Sequence, residues 1–163
     1  MIILGIDPGL ATAGFGVIEK AGDNNKALDY GVISTPKDLS LTERLKIIED
    51  NFVSLIEKFK PTDIAVEELF FAKNVKTALN VAHARGVILL CANKYCQNVF
   101  EYTPLQIKQG LTGYGRADKN QIQQMVKILL NLKTIPSPDD AADALAVALC
   151  HSQTNKFTDL FKV

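Results

Sequence analysis

The sequence predicts an α/β domain built on a mixed sheet, an antiparallel meander followed by parallel strands, with helices on both faces. Three observations carry this expectation. The chain opens with three apolar or alternating segments separated only by short polar connections. From residue 40 onward, strand-like runs alternate with long helical periodicities, the pattern of parallel strands joined by crossover helices. At 163 residues, 47% hydrophobic and 22% charged, the chain has the size and composition of one globular unit with its own core. No linker, repeat or low-complexity tract divides it, so residues 1–163 are read as a single domain with a loose C-terminal tail of about 10 residues.

The elements follow in order. "MIILGID" is an apolar run suited to a central strand, "ATAGFGVIEK" its hairpin partner and "ALDYGVIST" a third strand, with "GDNNK" as the turn between the last two. Ser40 and Glu43 form a capping box for a helix whose apolar positions are Leu41, Leu45, Ile48, Phe52, Leu55 and Phe59, and Lys60-Pro61 ends it. "DIAV" is a short buried strand that delivers Glu67 at its carboxyl end. A long helix over about 74–96 carries "GVILLCA", apolar on nearly every side, which must be covered by its own core or by a second copy of the chain. "NVFEY" is the last strand, and Thr103-Pro104 starts the next helix. "GLTGYGRAD" reads as a glycine-punctuated basic loop, and Asp118 caps a helix with Ile122, Met125, Val126 and Leu129 on one face. In "SPDDAADALAVALC", Ser137 is the expected cap and Pro138 the first helical residue.

Composition excludes several function classes. No apolar run approaches a membrane span, and the first residues do not read as a signal sequence, so a cytoplasmic, nucleoid-associated protein is expected. Three cysteines (Cys91, Cys96, Cys150) have no metal-ligand spacing and do not make a disulfide framework. His83 and His151 likewise lack ligand spacing, and the glycines after Asp7 do not form a phosphate-binding loop of the GxxxxGK[ST] type. Net charge is zero but unevenly spread: residues 1–69 carry 7 Lys/Arg against 12 Asp/Glu, and residues 70–119 carry 7 against 2. A basic central block beside acidic flanks suits a phosphate-tracking surface around a carboxylate site.

Four acids stand where solubility does not require them. Asp7 and Glu67 end buried strands, and sites in open sheets form at the carboxyl ends of strands. Asp140 and Asp143, three apart, share a face of the last helix, whereas Asp139 points elsewhere. Each has a plainer role open to it: a turn-forming aspartate at Asp7, an end-of-strand surface acid at Glu67, acids favouring a helix start at Asp139 and Asp140. If the helix start lies beside the strand ends, the four form a cluster that divalent cations would neutralise, and oxygen-only ligation selects Mg²⁺ or Mn²⁺ over zinc. Two such ions suit phosphodiester hydrolysis.

"GIDPGLATAGFGVIE", "AVEELFFAKNVKTALNVAHARGV", "FEYTPLQIKQGLTGYGRADKNQIQQMV" and "DDAADALAVAL" together resemble the RuvC family of Holliday-junction resolvases, in order and to about residue 152. The resemblance implies a ribonuclease-H-like domain, a homodimer that cuts four-way junction DNA with two Mg²⁺ per site (Mn²⁺ substituting) and leaves 5′-phosphate and 3′-hydroxyl ends. Branch-migration motor proteins are the implied partners. Asp7, Glu67, Asp140 and Asp143 fall on the family's metal-binding acids, although the family varies between aspartate and histidine at the position matched by Asp140. Phe70 falls on the aromatic of the loop that contacts bases near the junction centre, and Lys108 and Lys119 on lysines important for catalysis and DNA contact. Lys73 and Asn74 beside Phe70, and Arg116 in the glycine-rich loop, complete the expected DNA-contact set. Two other classes compete. A non-catalytic junction-binding module would not need the acid quartet, and an ATP-handling domain of the sugar-kinase type would need a second phosphate motif.

Overall fold

The computed structural model describes residues 1–69, 75–96, 98–154 and 161–163. The strands are β1 (Ile2–Asp7), β2 (Thr12–Ala21), β3 (Asn24–Ser34), β4 (Asp63–Glu67) and β5 (Val99–Tyr102). The helices are α1 (Leu41–Phe59), α2 (Val75–Tyr95), α3 (Pro104–Thr112), α4 (Lys119–Leu129) and α5 (Asp139–Gln153). The strands form one sheet in the order β3-β2-β1-β4-β5. β1, β2 and β3 pair antiparallel, while β1–β4 and β4–β5 pair parallel, so the expected mixed sheet is present. Residues 161–163 return to the β5 edge, where the Val163 amide donates to the Val99 carbonyl at 2.9 Å.

The sheet divides two cores because side chains alternate across it. Leu4, Ile6, Ile64 and Val66 pack with Ile48, Phe52 and Ile56 of α1 and Ala84, Ile88 and Cys91 of α2. Ile3, Ile18, Ala65, Phe100 and Tyr102 face α5, with α3 and α4 packed outside it. The α5 side is built from small residues. A side chain at Gly5 would collide with the backbone of Ala144 and Ala148, one at Gly16 with Leu145, and one at Gly14 with the Asp140 carbonyl. Gly14 and Gly16, after Asp7, therefore make room for a helix.

Local expectations need four corrections. The β2–β3 connection is the two residues Gly22-Asp23, not all of "GDNNK", because Gly22 adopts φ 61° and closes a tight hairpin. The strand after it accordingly begins at Asn24. "GLT" belongs to α3, which Gly113 ends in a left-handed cap with φ 79°, so the loop shortens to 113–118. Ser137 is not a cap: Pro138 takes the N-cap position without a side-chain bond, and its carbonyl accepts from the Ala141 amide at 3.0 Å. The capping boxes at Ser40, Thr103 and Asp118 are all formed. In α2, Ala84, Ile88, Cys91 and Ala92 are buried, so "GVILLCA" is partly core, yet Leu90 is 71% exposed.

Candidate active site

β1 and β4 run parallel and side by side, with Ile6 opposite Val66, so Asp7 and Glu67 emerge together at one end of the sheet. Both point to the α5 face, on the same strand sides as Gly5 and Ala65. The glycines of β1 and β2 let α5 approach closely, and its first turns carry Asp140 and Asp143 over that end of the sheet. Helical spacing then turns both aspartates toward Asp7.

The electrostatics record how tightly the acids are gathered. Burial is the main cause that pushes Asp7 up to about 8, and the charges of Glu67, Asp143 and Asp140 push in the same direction. The neighbouring carboxyls favour a proton on Asp7 over one on Glu67. Glu67 is raised as well, by burial first and then by Asp143, with Lys119 and Lys108 opposing. Asp143 is raised by burial against the counter-pull of Lys119. Lys119 Nζ lies 3.2 Å from Asp143 Oδ2 and 3.1 Å from Asp139 Oδ2.

A cleft of about 200 Å³ opens beside the acids, lined by Glu67, Asp143, Lys108 and Lys119 over a floor of Pro104, Ile107, Ile122 and Ala146. Lys108 and Lys119 thus flank the acids at this cleft. Arg116 is exposed in the shortened loop. Phe70, Lys73 and Asn74 lie outside the described residues. Asp139 faces α4, where Lys119 and the Gln123 amide (3.0 Å) hold its two oxygens. Sequence spacing offers Asp139 only a helix-start role and Gln123 none, although Lys119 and Gln123, four apart, are placed for one face of a helix. His151 is buried and structural in its contacts, its ring joined to the Tyr102 hydroxyl at 2.7 Å and Asp63 at 3.0 Å. All three cysteines are buried thiols.

The donor set suits a hard divalent cation: oxygens only, buried, mutually repelling and short of positive charge. Among the described residues, no three His, Cys, Asp or Glu side chains stand arranged around a common ion position. Coupling through space reaches further than ligation does, and the ammonium of Lys119 engages Asp143. To hold an ion, these carboxylates would rotate toward one point and Asp143 would release Lys119.

The sheet order, the helix laid across it and the acids at its carboxyl-end edge define a class, the ribonuclease-H-like nuclease domain. Comparison narrows it. The family model described as crossover junction endodeoxyribonuclease RuvC matches residues 3–151. A RuvC from Alkaliphilus oremlandii is 59% identical over 100% of this chain and 99% of that protein. One from Clostridioides difficile is 51% identical over 99% and 96%. Among solved structures, T. thermophilus RuvC in complex with a Holliday junction substrate superposes with TM-score 0.87 at 36% identity, covering 93% of each chain. The chain belongs to the RuvC family. The yeast mitochondrial resolvase Ydc2, 18% identical with TM-score 0.67 over 93% of this chain and 78% of that one, shares the fold.

Proposed function

We propose that this chain is a structure-selective endonuclease that resolves four-way DNA junctions in recombination and repair. One observation carries the reading: four carboxylates from two strand ends and one helix come within electrostatic reach of one another, and two of them, Glu67 and Asp143, line a cleft together with two lysines. The names of its relatives, and the junction DNA bound to the T. thermophilus protein, support the substrate.

Asp7, Glu67, Asp140 and Asp143 would hold two Mg²⁺, with Mn²⁺ substituting; bound ions supply charge neutralisation and water activation for phosphodiester hydrolysis. The protein's own groups do the rest. Lys108 and Lys119 meet the phosphate oxygens and set the strand's register over the acids. The burial of Asp7 and Glu67 keeps bulk water from screening that charge. Products carry 5′-phosphate and 3′-hydroxyl ends. Phe70, Lys73, Asn74 and Arg116 contact the junction DNA. Two copies of this single domain work as a homodimer, which places two sites on symmetric strands. They act in the cytoplasm on the nucleoid, supplied with junctions by branch-migration motors. No helix among the described residues is long and apolar enough to cross a membrane.

The test is a nicking assay on a synthetic four-way junction with Mg²⁺. Wild type is expected to cut, and Asp7→Asn to lose cleavage while keeping junction binding. Equal cutting by Asp7→Asn would overturn the mechanism. Binding by wild type without cleavage under any divalent ion would leave a junction-binding module instead.

A further inference from the structure

We propose that Asp139 is a positioning residue for junction cleavage: it anchors the Lys119 ammonium, so that Asp143 can be given up to a divalent ion while the lysine stays at the cleft. The inference rests on the nuclease reading above. It starts from one shared ammonium. Lys119 opens α4, Asp139 opens α5, and Lys119 Nζ bridges Asp139 at 3.1 Å and Asp143 at 3.2 Å. Asp139 and Asp143 are one helical step of four residues apart, which is why one ammonium spans both. The second oxygen of Asp139 accepts from Gln123 Nε2 at 3.0 Å. Both of its oxygens are therefore committed to α4, which sets its role apart from that of Asp140.

The two contacts of Lys119 differ in what they can survive. Asp143 belongs to the acid cluster that acts on Asp7, whereas Asp139 adds its charge to Asp143 but is held by hydrogen bonds to Lys119 and Gln123. To help hold a dication, Asp143 would have to release the ammonium. With Asp139 present, the displaced ammonium keeps a partner and remains over the cleft it lines with Lys108 and Glu67. Without Asp139, it is left on a flexible four-carbon stem with no fixed direction. The lysine would then reach phosphate from many geometries, few of them productive. Asp139 and Lys119 side chains are 66% and 54% exposed, so their pairing contributes little to folding. What it changes is placement.

The experiment uses the full chain and two variants, Asp139→Asn and Asp139→Glu. Single-turnover cleavage at saturating junction and Mg²⁺ is expected to fall about tenfold in Asp139→Asn and to recover in Asp139→Glu, the scale found when a supporting partner of an active group is removed. Junction affinity is expected to stay within about twofold, as is usual for one exposed pair. The second readout needs no cleavage: the ¹⁵N resonance of the Lys119 ammonium, assigned by its loss in Lys119→Arg, measured with Mg²⁺ and no DNA. It is expected to persist in wild type and Asp139→Glu and to broaden away in Asp139→Asn. Unchanged cleavage in Asp139→Asn, failure of Asp139→Glu to recover, or an ammonium signal indifferent to Asp139 would each overturn the proposal. If wild type fails to cut junctions, the nuclease reading falls, and the resonance still decides whether Asp139 anchors Lys119.

Discussion

A carboxylate on the last residue of a buried strand is expensive to ionise, and Asp7 has three acidic neighbours to make it more so. Its unfolded-state value is near 3.8, while burial and Glu67, Asp143 and Asp140 lift it to about 8 in the fold. Below pH 4 both states are protonated and the group costs nothing. Between those values the unfolded chain is ionised while the folded chain retains the proton. Stability therefore falls as pH rises, by up to about 1.4 kcal/mol per unit from one such group, until Asp7 ionises in the fold as well. Metal-free protein is expected to melt at lower temperature at pH 8 than at pH 5. Asp7→Asn should remove most of that difference, and Mg²⁺ should remove it in wild type. Melting curves in chelator across this range check the prediction, and a gap between variant and wild type that does not change with pH would refute it. Burial also pushes the His151 imidazole down, with Asp63 opposing; its effect runs the other way, and comparing variant with wild type cancels it.

At the scale of elements, α5 is the part that makes a site out of four separated acids. Its position is set by what the sheet lacks: Gly14 admits the Asp140 backbone and Gly16 admits Leu145. Gly14→Ala should push the start of α5 off the sheet, destabilise the fold by about 1–3 kcal/mol and reduce cleavage about 100-fold. Far-ultraviolet circular dichroism would report a helix content close to wild type. A variant that cuts normally would mean that α5 can slide without loss. These glycines mark how far the sequence could be read. Strand ends at Asp7 and Glu67, and the shared face of Asp140 and Asp143, follow from periods of two and 3.6 residues, which are local. That Gly14 faces a helix beginning 125 residues later is a matter of packing, and no local pattern encodes it. The same holds for Asp139, whose partners Lys119 and Gln123 lie on a different helix. Gly22 and Gly113 were legible as glycines, yet which one closes a hairpin and which one caps a helix depends on the φ each adopts.

At the scale of the molecule, one face of α2 is exposed among the described residues. Val75, Leu79 and Leu90 of α2 are 71%, 56% and 71% exposed, and with Gly86 they recur at helical spacing along one side. The opposite side of α2 is satisfied within the chain by Ala84, Ile88, Cys91 and Ala92. Exposed apolar stripes of this kind mark association surfaces in general, which makes this face the one to test for the proposed homodimer. A twofold contact through it would make two copies of one patch meet, giving one active site per copy in fixed relation. Leu90→Glu tests this with little risk to the fold, because the side chain is mostly exposed in the single chain. Sedimentation is expected to show a dimer for wild type at micromolar concentration and a monomer for the variant. The variant's acids and lysines are untouched, so it should still nick single strands of a four-way junction. Coordinated incision of the two opposed strands should fall instead, read as an excess of singly nicked junctions over fully resolved duplexes. A dimeric Leu90→Glu, or a monomeric wild type that still makes paired cuts, would remove α2 as the surface that couples the two sites.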